Sequence, residues 1–343
     1  MSIEAPEAAG ASAPGPGEGR RGARIERLRA ALSLPTLRRA TGLLDGRHKS
    51  VFVGRGQDFD DLSVYRPGDD VSDIDWKSSA RVGQPVIKRF QRESNLPLVL
   101  AVDTGRTMAA QAPDGTDKRD LAQAVADTLA FLARQRGDTV ALVAADATRM
   151  VDRPARSGSK HAEMILALLD RQLGSLTTEV RPPGAQADAE AAPEVVPAAG
   201  APVSRVSAVL ARVSTWHRRR SLVVLITDTA HPDVQTDPDC ALWLRRLSAQ
   251  HELIVVQVAD DAPLGPGRRQ DVELAAEVPA FLRQDKALVT YLSAQDSARR
   301  ARVAALLDSR RVEHVTVSSM ERMVDELADL LARQRLASSR KRR

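Results

Sequence analysis

Residues 98–107 read LVLAVDTGRT: an unbroken apolar run, Leu98 to Val102, that ends at once in an acid, a turn glycine and two hydroxyls. A run apolar on both faces is what a parallel strand covered by helices requires. The polar residues that end it belong at the carboxyl edge of such a sheet, where ligands of α/β folds collect. Residues 222–229, LVVLITDT, have the same design, with Asp228 in the place of Asp103. If the two strands are neighbours, Asp103, Thr107 and Asp228 converge on one rim. A set of oxygen donors alone suits a hard cation, Mg²⁺ or Mn²⁺.

Outward from these strands the chain alternates apolar runs with amphipathic stripes. Leu121, Val125, Leu129 and Leu132 stand at helical spacing, with Asp117 as N-cap and Gly137-Asp138 as the closing turn. Residues 139–144 read as a strand, and Met164, Leu168 and Leu169 mark a helix. The pattern goes on with a helix at 206–216, a helix at 241–248 and a strand at 253–258. A helix at about 297–307, a strand at 312–317 and a helix at 321–331 complete it. The alternation predicts an α/β fold: a Rossmann-like, mostly parallel sheet flanked by helices over residues 97–335.

The remaining segments differ in composition. Residues 1–22 are rich in Ala, Pro, Gly and Glu and are expected to be disordered. Residues 23–45 carry Ile25, Leu28 and Leu32, then Leu37, Leu43 and Leu44 after Pro35, which predicts an N-terminal helical arm. Residues 46–96, dense in charge, read as a small extra lobe packed beside the core. A Pro- and Ala-rich stretch at about 180–203 reads as a disordered insertion, and 336–343 as a basic tail.

At 343 residues and 43% hydrophobic the chain has ample material for one large domain with appendages. Cys240 stands alone, which excludes an intramolecular disulfide and a cysteine-based metal cluster. The formal net charge is +5, but Arg333, Arg335, Arg340, Lys341, Arg342 and Arg343 concentrate positive charge at the end of the chain. The body is then near neutral, and the tail reads as solvated, with nucleic-acid binding as the alternative. There is no secretory h-region and no apolar run of about 18 residues, so a soluble, cytoplasmic protein is expected.

Several catalytic patterns are absent. Gly54-Arg55-Gly56 is followed by acids and by no Gly-Lys-Ser/Thr, so it is no phosphate cradle. Asp69 to Asp75 lacks the spacing of a calcium loop, and His251-Glu252 lacks the second His of a zinc protease helix. Ser157, Ser159 and His161 come without a Gly-x-Ser-x-Gly turn and read as a surface helix start. With no nucleophile in view, binding is favoured over catalysis. Metal-assisted phosphoester hydrolysis at the Asp103 and Asp228 loops is the enzymatic alternative, and it would need a general base beside Asp103.

Asp103-x-Gly105-x-Thr107 resembles the Asp-x-Ser-x-Ser motif of von Willebrand factor A domains, with Asp228 matching the acid after the fourth strand. The resemblance implies a Mg²⁺-dependent adhesion site in which the exposed metal takes an acid from a partner. Gly105 stands at the first Ser position and removes one ligand. Ser159 is assigned to the second loop's Thr, and Gly105, Ser159 and Thr229 to the partner-facing surface. Upstream, Gly56-x-Asp58-Phe59-x-Asp61, Tyr65-x-Pro67-Gly68-Asp69-Asp70 and Ile74-Asp75-Trp76-Lys77-x-Ser79-Ala80-Arg81 resemble the signature of the bacterial domain of unknown function 58 family, a von Willebrand A-like group. Ser72-Asp73 departs from it where the family tends to carry an Arg. In the signature, Asp58, Asp69 and Asp75 stand among Arg66, Lys77 and Arg81 as an expected charge network, Pro67-Gly68 as a turn, and Phe59 and Trp76 as packing bulk. The resemblance implies a non-enzymatic interaction module that works with a MoxR-type AAA+ ATPase in maturing or chaperoning protein complexes.

Overall fold

The computed structural model describes residues 58–65, 71, 74–91, 97–180, 194–198, 200–261, 270–271, 276–277 and 279–340. The expected disordered N-terminus and helical arm lie outside the described residues, as do Pro67, Gly68 and Asp69 of the signature.

The signature segment forms a small lobe. Strands β1 (Asp58–Val64) and β2 (Val86–Gln91) pair antiparallel, and helix α1 (Trp76–Val82) lies between them in the chain. Asp75 is the N-cap of α1, its carboxylate accepting from the Lys77 and Ser78 amides. The Ser79 hydroxyl donates to the Asp75 carbonyl and accepts from the Val86 amide, tying helix to strand. The expectation of packing bulk at Trp76 is corrected: its side chain is 68% exposed, since the first position of a short helix faces away from the strand pair. Lys77 and Arg81 are also exposed.

The main body is a six-stranded sheet. Its strands are β3 (Leu98–Asp103), β4 (Val140–Ala145), β5 (Met150–Arg156), β8 (Leu222–Asp228), β9 (Glu252–Val258) and β12 (Glu313–Val317), in the order β12-β9-β8-β3-β4-β5. All neighbours run parallel except β4 and β5. Strand direction and alternation sort side chains to two faces. Leu98, Leu100 and Val102 pack with helices α2 (Lys118–Gln135), α3 (Ser159–Gly174) and α8 (Met323–Arg340). Val99 and Ala101 pack with α4 (Val206–Trp216), α5 (Cys240–Gln250) and the C-terminal part of α7 (Lys286–Ser309). The result is the expected α/β sheet between two helical layers. No helix among the described residues is long and apolar enough to cross a membrane.

Three elements differ from the sequence reading. The antiparallel edge strand β5, MVDRPAR, is polar and holds a proline, both tolerated only where one side of the strand is unpaired. The stretch read as a disordered insertion is partly ordered: β7 (Glu194–Pro197) pairs antiparallel with β6 (Thr177–Val180), and residues 201–204 lie against the site. The basic tail begins inside α8, which runs through Arg340. Two-residue strands β10 (Gln270–Asp271) and β11 (Ala276–Glu277) pair with each other, and the short α6 (Ala280–Gln284) leads into α7.

Candidate functional site

Strands β3 and β8 are hydrogen-bonded neighbours at the centre of the sheet, and the chain leaves them toward opposite sides. Their carboxyl ends therefore bound the crevice where doubly wound sheets bind ligands. Asp103 and Asp228 end these two strands, so the acids expected to converge do so. Both are fully buried.

Each carboxylate is fixed by its own loop, and Asp103 also by the neighbouring strand β8. Asp103 Oδ1 accepts from the Gly105 amide at 2.9 Å, and Oδ2 accepts from the Thr227 hydroxyl at 3.0 Å. Asp228 Oδ1 accepts from the Ala230 amide at 2.9 Å and holds His231 Nδ1 at 2.8 Å. Asp228 Oδ2 is buried without a hydrogen-bond partner, 3.7 Å from Lys118 Nζ. The Lys118 ammonium is fully buried and hydrogen-bonded to Asp260, whose other oxygen accepts from the Thr229 hydroxyl at 3.0 Å.

Charge separates the two acids. Burial raises the Asp103 carboxyl above the usual carboxylate range; the Asp228 charge adds to this and His231 opposes it. Burial would raise Asp228 too, but Lys118 and then His231 outweigh it and hold that carboxyl well below its ordinary range. For His231 the burial cost is overcome by Asp228, and its imidazolium is stabilised up to a pKa of about 9. Asp260 is raised by burial, with Lys118 opposing.

Hydroxyls complete the rim. Thr107 Oγ1 lies 2.8 Å from Ser204 Oγ, which brings in a residue the sequence reading missed. Ser204 also favours the ionised form of Asp103, and Thr107 that of Asp228. The loop carrying Ser204 is clamped between two others: the Pro202 carbonyl accepts from the Arg106 amide at 2.7 Å, and the Val203 carbonyl from the Ala147 amide at 3.0 Å. A Cβ on Gly105 would overlap Ser204 Oγ, Cα and N. The glycine that removes one hydroxyl from the motif is thus what lets Ser204 approach. A serine just ahead of the helix that leads into the strand of Asp228 was the available signal.

Ser159, assigned to the second loop, is not at this site. It starts α3, accepts from the Arg134 guanidinium at 3.1 Å, and follows β5, whose last residue Arg156 pairs with Val140 at the start of β4. That is the amino edge of the sheet, opposite Asp103, which pairs with Ala145 at the end of β4. Thr229 is buried and turned to Asp260, and Gly105 is buried against Ser204, so neither forms an outward surface.

Asp103, Thr107, Ser204 and Asp228 offer oxygen only, the donor type of a hard cation. The 2.8 Å between the two hydroxyls matches adjacent ligands of an octahedral ion with bonds of about 2.1 Å. Among the described residues no three His, Cys, Asp or Glu side chains group as metal ligands, so the hydroxyls are needed to complete a set. With Asp228 Oδ2 free of hydrogen bonds, these four residues fit Mg²⁺ or Mn²⁺ in donor type.

Comparison with known proteins agrees with the signature. The family model described as protein of unknown function DUF58 matches residues 61–279. An uncharacterized protein of Mycobacterium bovis and two of Mycobacterium tuberculosis strains are each 28% identical over 317 residues, covering 91% of this chain and 88% of theirs. Among solved structures, von Willebrand factor type A from Catenulispora acidiphila aligns at a TM-score of 0.38 and 10% identity, over 73% of this chain and 44% of that one.

Proposed function

The chain belongs to the DUF58 family of proteins of unknown function, and from that membership we propose that it is a non-enzymatic, von Willebrand A-like interaction module that engages a protein partner at the rim above β3 and β8. One observation carries this reading. Two buried acids and two hydroxyls from three separate loops meet at the switch point of the sheet, with one carboxylate oxygen of Asp228 left without a hydrogen bond.

Asp103, Thr107, Ser204 and Asp228 are the residues that would hold Mg²⁺. The ion, when bound, supplies an open coordination position suited to an acid of the partner. The chain's own groups do the orienting: the Gly105 amide and Thr227 hydroxyl aim Asp103, and the Ala230 amide and His231 aim Asp228. The same geometry argues against hydrolysis. His231 is an imidazolium at neutral pH, engaged with Asp228, and provides no general base.

The resemblance of the signature segment supports a MoxR-type AAA+ ATPase as the partner, met in the cytoplasm. The test is surface binding of such an ATPase to the full chain, in Mg²⁺ and in EDTA, with Thr107→Val as the site variant. The expected result is binding in Mg²⁺ that falls at least tenfold in EDTA or with the variant, whose unfolding curve stays that of the wild type. Binding insensitive to both treatments would remove the metal from the account, and absence of binding would remove this partner.

A further inference from the structure

We infer that Lys118 is a counter-cation built into the rim, and that it holds the divalent-ion affinity of Asp103, Thr107, Ser204 and Asp228 low. The inference rests on the reading of those four residues as a cation site.

Lys118 is an improbable residue where it stands. It is the first residue of α2, where the helix dipole disfavours positive charge, and it is 0% exposed. A buried ammonium is retained only when paired. The partners here come from two other strand ends: Asp260 just after β9, in a direct hydrogen bond, and Asp228 at the tip of β8. The separation of 3.7 Å from Asp228 Oδ2 is too long for a hydrogen bond and short enough for strong Coulomb attraction in a dry setting. Lys118 thus neutralises the oxygen that a metal would use without occupying its lone pairs. That oxygen stays buried and without a hydrogen-bond donor.

Charge balance gives the consequence. With the Lys118 ammonium beside Asp228 Oδ2, the rim has a fixed positive charge of its own before any ion arrives. A divalent ion entering among the four oxygens meets the ammonium across one carboxylate oxygen, and repulsion at that range is barely screened by salt. Folding then does not depend on metal. Removing the ammonium leaves the donor set intact and raises its demand for a cation.

The experiment measures Mn²⁺ binding by electron paramagnetic resonance and calorimetry on the full-length wild type, Lys118→Met and the double variant Lys118→Met/Asp260→Asn. Thermal unfolding identifies the folded samples. Methionine keeps the length and flexibility of the side chain. The double variant removes Asp260 as a stranded charge, and its affinity is read if the single variant does not fold. The expected result is Mn²⁺ binding at least tenfold tighter than wild type in the single variant, with a smaller gain in the double variant. Equal or weaker binding in the folded variants overturns the inference. If the wild type binds Mn²⁺ and Asp228→Asn abolishes that binding, the cation site survives and only the role of Lys118 falls. If no folded protein binds Mn²⁺, both fall.

Discussion

Gly105 and His231 show how single residues set the character of the rim. Restoring the hydroxyl of the von Willebrand A motif by Gly105→Ser looks like a gain of ligand. The structure makes it a loss, because the new Cβ would overlap the backbone as well as the hydroxyl of Ser204, and that loop is pinned on both sides. The expected outcome is destabilisation by about 2 kcal/mol, the usual range for overpacking, with no rise in Mn²⁺ affinity; urea unfolding and calorimetry check the two halves. His231 gives a pH signature. Its pKa is raised from 6.5 unfolded to about 9 folded, so the stability it contributes is fully present below pH 6.5 and is lost as pH rises through 9. The loss is on the order of 3 kcal/mol at most, from about 1.4 kcal/mol per pKa unit. Urea unfolding without divalent ions should show the wild type weakening from pH 6 to pH 9.5, and His231→Gln much less so. Equal slopes would mean that His231 is not held charged by Asp228.

At the scale of elements, the helix that carries Lys118 depends on its cap. Asp117 accepts from the Arg119 amide at 2.9 Å and also grips the Arg119 guanidinium, satisfying an orphan donor of the first turn. Asp117→Ala should cost about 1 kcal/mol in urea unfolding. This cap was readable from sequence, since an acid before an apolar stripe of period 3.6 has few other uses. Strands β3, β8 and β9 were readable for a similar reason: burial on both faces writes an unbroken apolar run. Strand β5 was not, because an edge strand with one solvated side carries Arg, Asp and Pro as a loop does. The pairing of β6 with β7 was equally hidden, as strands of four residues are too short to show a hydrophobic period.

For the whole molecule, strand order is the decisive quantity. The order β12-β9-β8-β3-β4-β5 makes β3 and β8 neighbours and so brings Asp103 and Asp228 to one crevice. The expectation of convergence rested on that adjacency. The assignment of Ser159 failed at the same scale: antiparallel β5 runs back across the sheet and delivers Ser159 to the amino edge, while the return path through α3, β6 and β7 brings Ser204 to the carboxyl edge. Lys118 is a similar case, since an isolated lysine at a helix start has the look of a surface residue until Asp228 and Asp260 close over it. The α/β class, the two strand-end acids, the helix cap and the family signature are legible without coordinates, because each is written in local hydrophobic period or contiguous motif. Which hydroxyl joins the acids and which cation neutralises them follow from three-dimensional packing alone. Those contacts join residues far apart in the chain, and one reversed strand is enough to send a side chain to the opposite end of the sheet.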